Sequence, residues 1–450
     1  MIYALIRPFV IVALNVYYRI NIRGLKNIPR NQPVVLAPNH VNGFVDPIIL
    51  AMHVPQKVRF FARGDVFKGT FAKWILNQMS VSPMFRIQEG YSEIKKNDKS
   101  FEECRQLLSD DKTILLFPEA LCVSERRLRP LKKGLARIVF QTGEAVDFKK
   151  DILVVPVGLN YEDPTRFRSR INIDIGKPVS VLEHTNDFKG DKVRTINRFT
   201  KMLEEEMYGH VSAIINPAND RLISNLEEVY TTQWLKDKKV DTKDPELRYR
   251  ASREMIDMVN VIDEHKPEMI RPLKEIVQLY VDGLHTFRLR DHLLREENVS
   301  RMNLLSFLKE YAIIYLGVPI YLIGLLLNFP PYYFIRGFSD KKVKKPEFYA
   351  SFRSYLSLMA WQAYMLIQLM IVGLLTRSWP FVGIYALVII VSGIYVLRFY
   401  PLMRKIFGRW RLLRMVRKHR SDVEKLVEMR SDAMNAIVEV KNEYLKLLKS

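Results

Sequence analysis

Two apolar runs near the C-terminus, Leu356 to Thr376 and Phe381 to Phe399, are separated only by Arg377-Ser378-Trp379-Pro380. Each has about the twenty residues that an α-helix needs to cross the hydrocarbon core of a bilayer. So short a turn between them predicts a transmembrane hairpin, and a chain holding such a pair must fold around a membrane. A third run, Tyr311 to Phe334, is interrupted by Gly317, Pro319, Gly324 and the pair Pro330-Pro331, residues that break or kink a helix. Arg336, Lys341, Lys342, Lys344 and Lys345 follow it, and a dense Arg/Lys run from Arg398 to Arg420 follows the hairpin. If Tyr311 to Phe334 spanned the bilayer, the N-terminal part of the chain and these basic segments would lie on opposite sides. A re-entrant or kinked element keeps everything basic on the cytoplasmic face and is the preferred reading. Residues 311–400 thus form a membrane-embedded section, and 401–450 a basic, helical tail whose last stretch reads as a solvated or partner-packing amphipathic helix.

At the other end, Leu5 to Ile20 is apolar and aromatic but contains Arg7 and Pro8 and leads into Tyr17-Tyr18-Arg19. No small-residue cleavage site follows, so residues 1–24 read as a membrane-interface anchor rather than a signal peptide. The formal net charge of +21 calls for an acidic partner. The apolar runs decide for membrane lipids and against nucleic acid. Cys104 and Cys122 are the only cysteines, which gives neither a disulfide framework nor a zinc cluster.

A chain of 450 residues exceeds one ordinary core. Between residues 25 and 191 short apolar runs alternate with amphipathic stretches, the pattern of an α/β layer fold. Expected strands are Val34 to Ala37, Val58 to Phe61, Val81 to Phe85, Thr113 to Phe117, Leu153 to Leu159 and Ile171 to Ile175, with helices near 47–52, 68–78, 98–109 and 131–144. Residues 192–310 are charged and helix-patterned and read as a helical region. Loops that follow strands in such folds carry chemistry on a rigid sheet.

One of these loops is Asn39-His40-Val41-Asn42-Gly43-Phe44-Val45-Asp46-Pro47. Residues six apart on a continuous helix point about 240° from one another, so His40 and Asp46 can meet only across a turn. Gly43 is expected to supply positive φ for it, Asp46 to cap the next helix and Pro47 to open it. A carboxylate on one ring nitrogen fixes the imidazole tautomer, and the other nitrogen is then ready to take a proton from an alcohol. The bland alternative is a helix cap beside a loop histidine.

Taken with three further blocks, this segment resembles the phospholipid/glycerol acyltransferases, the family of lysophosphatidic acid and glycerol-3-phosphate acyltransferases. Asn39, His40 and Asp46 match its first block. Ser82-Pro83-Met84-Phe85-Arg86 is similar to the second, Phe117-Pro118-Glu119 with Pro130-Leu131-Lys132-Lys133-Gly134 to the third, and Val155-Pro156-Val157 to the fourth. Order and spacing fit over about residues 25–180. The chain departs from the pattern at Ala120, where the family has glycine, and at Cys122, where it has arginine. Arg126, Arg127 and Arg129 are the nearest replacements for that missing cation.

The resemblance implies an acyltransferase-type mixed sheet flanked by helices. It also implies O-acyl transfer from acyl-CoA or acyl-carrier protein to glycerol 3-phosphate or its 1-acyl derivative, with no cofactor and no metal. In that scheme His40 is the base and Asp46 its orienter. Asn39 belongs to the same block, Glu119 positions the acceptor, Arg86 binds its phosphate, and Lys132 and Lys133 assist. The absence of a Gly-x-Ser-x-Gly elbow disfavours an acyl-enzyme, and no His-Glu-x-x-His run suggests a metal site. A thioester-independent transacylase and a degenerate membrane scaffold remain the alternatives; Ala120 and Cys122 favour the latter.

Overall fold

A computed structural model describes residues 2–63, 70, 80–84, 97–295, 304–343 and 346–449. Arg86, and all of the helix expected over 68–78 except residue 70, lie outside the described residues. The chain divides into two compact units, Met1–Ala213 with Lys342–Ser354, and Ile214–Lys341 with Tyr355–Ser450.

The first unit is an α/β layer around one mixed sheet. Its strands are β1 (Arg19–Arg23), β2 (Val34–Pro38), β3 (Val58–Arg63), β4 (Val81–Met84), β5 (Thr113–Leu115), β6 (Leu153–Tyr161), β7 (Arg170–Ile175) and β8 (Val179–Ser180). They lie in the order β1-β7-β6-β2-β5-β3-β4, with β8 also paired to β6. From β6 to β4 every neighbouring pair is parallel, whereas β7 and β8 run antiparallel to β6. The central strands are covered on both faces, so Val34-Val35-Leu36-Ala37 and Val154 to Leu159 are buried throughout. That is why they read as unbroken apolar runs instead of alternating ones.

All six expected strands are present. The edge strand β1 was not among them, because Arg-Ile-Asn-Ile-Arg offers only two apolar residues. It pairs in register with β7, which repeats Arg-Ile-Asn-Ile, so that Asn21 meets Asn172 and Arg23 meets Asp174. The first helix, α1 (Ile2–Tyr17), therefore leads straight into the sheet. Its Arg7 donates to the carbonyls of Met52 and Val54, and Tyr3 to that of Ala51, at the end of α2 (Val45–His53). The charge within an apolar helix thereby satisfies orphan carbonyls at another helix terminus. The helices α3 (Asn97–Ser109) and α4 (Gly134–Ala145) match expected ones. After the short α5 (Thr185–Gly190), α6 (Lys192–Tyr208) packs Phe199, Leu203 and Met207 into the same core as Val35 and Phe140.

The second unit is helical. It holds α7 (Asp220–Val229), α8 (Thr231–Asp237), α9 (Pro245–His265), α10 (Ile270–Thr286), α11 (Leu304–Asn328), α12 (Pro330–Lys342, whose last residue is grouped with the first unit), α14 (Trp379–Lys418) and α15 (Arg420–Leu447). The intervening α13 (Pro346–Thr376) is one helix whose residues from Tyr355 onward belong here. The tail helix α15 packs one face into this unit. Leu426, Ala433, Ile437, Val440 and Tyr444 recur at helical spacing and are buried in one core with Met255, Val277 and Tyr280. Buried Asp291 ties this core together by accepting from Tyr280, Arg295 and Arg430.

Among the described residues three helices are long and apolar enough to cross a membrane, at Phe307–Asn328, Ser351–Thr376 and Trp379–Lys418. Gly317, Pro319 and Gly324 do not interrupt the first of these; α11 is continuous to Asn328. The two glycines instead admit α14. A Cβ at Gly324 would lie 2.7 Å from the Ser392 carbonyl oxygen, and one at Gly317 would lie 2.3 Å from the Phe399 ring. Small residues at such a crossing let two helix backbones approach.

Candidate active site

The catalytic candidates gather beyond the C-terminal ends of the parallel strands, where loops leave β2 and β5 beside the end of β6. Asn39 is buried, and its amide reads the β6 backbone from both sides: Oδ1 accepts from Leu159 N at 2.6 Å and Nδ2 donates to Leu159 O at 3.2 Å. This clamp holds the start of the loop to the sheet.

His40 and Asp46 meet. Nδ1 of His40 lies 2.9 Å from Oδ2 of Asp46, whose side chain is fully buried. The same oxygen accepts the amides of Val41 (2.8 Å) and Asn42 (2.7 Å), while Oδ1 accepts the Tyr161 hydroxyl at 2.5 Å. Four donors thus converge on this one carboxylate. The turn differs in detail from the one expected. Asp46 is not the N-cap; Phe44 holds that position, and Asp46 sits in the first turn of α2 with its carboxylate folded back over the preceding loop. Gly43 is not among the residues of positive φ. The bend is made instead by a helical turn in which Val45 and Asp46 both donate to Asn42 O. Pro47 accordingly falls inside the first turn rather than opening it.

The His40 ring stacks on Phe117, with centroids 3.8 Å apart and an 18° tilt. Among the described residues its Nε2 has no hydrogen-bond partner, and the side chain keeps 13% of its exposure. One nitrogen is thus fixed by the carboxylate, and the other remains available for a proton.

Glu119 is buried below the same loop. Its Oε1 accepts from His40 N at 3.1 Å and its Oε2 from Arg129 N at 3.3 Å. Burial pushes its carboxyl from the ordinary 4.5 up to about 7, against the pull of those two amides and of the Arg129 charge. A carboxyl that holds its proton more tightly folded than unfolded makes stability fall as pH rises from 4.5 to about 7; above that the native state must keep a buried charge. Glu119→Gln is expected to remove this fall. Melting midpoints measured across that interval should change less with pH than those of the unsubstituted protein, and an unchanged slope would show that another group is responsible.

The two departures from the family pattern are both engaged in the site. Ala120 has φ of 58°, so the position is left-handed and glycine would suit it better. The Cβ costs about 1 kcal/mol there. Ala120→Gly should raise stability by about that amount, and an unchanged or lower melting midpoint would refute the strain. Cys122 accepts from Gly43 N at 3.1 Å, so its thiol touches the turn between His40 and Asp46. Arg126 donates to the Glu162 carbonyl, while Arg127 and Arg129 pair with Glu125. Lys132 and Lys133 are exposed just before α4, with the Lys132 amide on Pro118 O. The described residues therefore bring Asn39, His40, Asp46 and Glu119 together and leave the two lysines at the surface.

Sequence reasoning missed the residues that hold the turn. Tyr161 is the last residue of β6, and its only signal is the even spacing from Leu159 that puts both on one face. Asn42 donates to the Tyr18 hydroxyl at 3.1 Å, and Ser351 reaches the turn from the start of α13. Nothing local marks either.

Residues 19–160 match the family model described as acyltransferase. The chain is 27% identical over 136 residues to the chloroplastic 1-acyl-sn-glycerol-3-phosphate acyltransferase LPAT1 of Arabidopsis thaliana, covering 30% of this chain and 36% of that protein. It is 23% identical over 260 residues to glycerol-3-phosphate O-acyltransferase 2 of Saccharomyces cerevisiae, covering 57% of this chain and 34% of that protein. It thus spans about a third of the length of these relatives. The crystal structure of the 1-acyl-sn-glycerophosphate acyltransferase PlsC from Thermotoga maritima aligns with a TM-score of 0.34 and 18% identity, covering 46% of this chain and 77% of that one.

Proposed function

We propose that this chain moves a fatty acyl group from a thioester, acyl-CoA or acyl-carrier protein, onto a hydroxyl of glycerol 3-phosphate or its 1-acyl derivative. The observation that carries the reading is the 2.9 Å contact of His40 Nδ1 with an Asp46 carboxylate that is itself held by Val41, Asn42 and Tyr161. Nε2 takes the acceptor's hydroxyl proton as its oxygen attacks the thioester carbonyl. The tetrahedral oxyanion collapses with cleavage of the C–S bond, and the leaving thiolate recovers the proton from the imidazolium. Asp46 stabilises that imidazolium. Each Glu119 oxygen accepts one amide and keeps a second lone pair for an acceptor hydroxyl. Arg86, with Lys132 and Lys133, would bind the phosphate as cations.

Purified protein in lipid should release free thiol from acyl-CoA or acyl-carrier protein only when a glycerophosphate acceptor is present, and His40→Ala should abolish the release. No release with any such acceptor would sink the reading. Turnover between lipids without thioester would favour the transacylase, and equal lipid products from His40→Ala and the unsubstituted protein would favour a scaffold.

We propose further that α11 enters the bilayer halfway and α12 returns, with the catalytic unit on the cytoplasmic face. The support is the position of the C-terminal end of α11. Asn328 bonds Ile389 O and Ser392 Oγ on α14 and accepts from Trp361 on α13. Ile389 is ten residues past Trp379, roughly 15 Å along the helix, which is mid-depth in the hairpin. At the other end Glu310 pairs with Arg409 and Trp410, on the basic side. The last carbonyls of α11 are capped in place, Leu326 O by the Tyr364 hydroxyl and Leu327 O by Gln368. A helix terminus at membrane depth is tolerated only where protein groups satisfy it in this way. Because α13 starts at the end of the hairpin where α14 finishes, α12 must lead back there. In a protein with Cys104 and Cys122 replaced by serine, Gly337→Cys and Lys418→Cys should react with an impermeant maleimide from the cytoplasmic side and Ser378→Cys from the other. Labelling of Gly337→Cys together with Ser378→Cys would mean that α11 crosses.

A further inference from the structure

The amide of Phe44 opens α2, and the residue's own phenyl side chain cannot cap it. Helix N-termini leave such amides without intrahelical partners, and one left bare in a part-buried site costs roughly 1–3 kcal/mol. The acceptor comes from far away in sequence. Ser351 is 1% exposed, and its Oγ accepts from Phe44 N at 3.1 Å and donates to Asn42 Oδ1 at 3.4 Å. Phe348, one helical turn earlier, brings its ring centroid to 5.9 Å from that of Phe44.

Asn42 and Phe44 are the two ends of the bend that separates His40 from Asp46. Asn42 is held a second time through its amide nitrogen, which donates to the Tyr18 hydroxyl and approaches Pro164 O at 3.4 Å. Its carbonyl oxygen side is the one that faces Ser351. The bend therefore has one polar group on each end directed at a single hydroxyl. Asp46 accepts the Val41 and Asn42 amides from within the bend, so any loosening of Asn42 or Phe44 moves the carboxylate relative to the imidazole.

We propose that Ser351 is a positioning residue for the acyl transfer: by bridging Asn42 and Phe44 it keeps the His40 ring in register with Asp46. The role assigned to the transfer rests on the reading of His40 as the base. It also gives the first turns of α13, the helix that continues into the apolar run ending at Thr376, a part in catalysis that no family motif assigns.

The test compares Ser351→Ala, Ser351→Thr and Ser357→Ala in the full chain reconstituted in lipid, with kcat and KM for the acceptor and amide hydrogen exchange as readouts. Ser351→Ala should lower kcat about tenfold with KM within about twofold, the pattern of a geometry lost in the transition state, and should speed exchange at Phe44 and its neighbours. Ser351→Thr keeps the hydroxyl and should recover most of the rate. Ser357→Ala, on the same helix beyond the turn, should change neither. Normal kcat and normal exchange in Ser351→Ala would overturn the proposal while leaving the acyl-transfer reading intact. Absence of turnover in the unsubstituted protein on every acceptor overturns that reading and the catalytic role together, and exchange then still decides whether Ser351 holds the turn. If Ser351→Ala does not fold, Ser351→Cys, of similar size and with a weaker hydrogen bond, carries the same comparison.

Discussion

Asp46→Asn is expected to lower kcat by about a hundredfold or more, the scale of general-base catalysis, while the fold survives. The asparagine oxygen can take the place of Oδ2 and keep the Val41 and Asn42 amides and the His40 Nδ1 proton. Its NH₂ then faces Tyr161, whose hydroxyl can turn from donor to acceptor. The hydrogen-bond count is nearly conserved, but the negative charge is gone. In the proposed transfer, the imidazolium that would form as the acceptor loses its proton is then uncompensated in a buried setting, where charge interactions are strong. Steady-state kinetics and a melting curve together decide the matter. A variant within about threefold of the unsubstituted rate would remove Asp46 from the mechanism, and one that fails to fold would show that the charge itself holds the turn.

Gly324→Ala is expected to destabilise the second unit by about 1–3 kcal/mol, the range for overpacking a tight contact. The new methyl would lie 2.7 Å from the Ser392 carbonyl oxygen and 2.8 Å from Val396. A backbone atom cannot rotate away as a side chain does, so the two helices must separate. Separation also pulls Asn328 from Ile389 and Ser392 and leaves the end of α11 unsatisfied. Gly383→Ala is the internal control: nothing lies within 4 Å of its added carbon, and alanine is the better helix former. Apparent melting midpoints in detergent should fall for the first variant and hold or rise for the second. Equal midpoints would mean that α11 and α14 do not pack this closely.

How much of this was legible beforehand follows from how local each signal is. The strands of the buried sheet declared themselves because burial on both faces writes a continuous apolar run, as in Val34 to Ala37. The pairing of His40 with Asp46 was legible because one loop carries both. The shape of that loop was not: Gly43 and Asp46 have the residue types of a left-handed turn and a cap, yet a helical turn closed on Asn42 does the work. Gly317 and Gly324 read as helix breakers for the same reason, since a sequence cannot show that a second helix comes close enough to need them. Tyr161 and Ser351 lie 115 and about 300 residues from the groups they hold, and no periodicity records a contact of that kind. The tail helix had its apolar stripe in plain view; only the partner, α9 and α10 of its own chain, was hidden.

The α/β unit is discontinuous in sequence, since Lys342–Ser354 folds with Met1–Ala213. Truncation at Ala213 would retain Asn39, His40, Asp46 and Glu119, and by motif alone such a fragment looks complete. It would nevertheless expose the Phe44 amide and the Asn42 side chain where Ser351 now covers them. An isolated α/β unit must therefore be assembled from two stretches of chain, co-expressed or spliced through a linker, and excision at the apparent boundary would yield a protein with an intact signature and a slack loop.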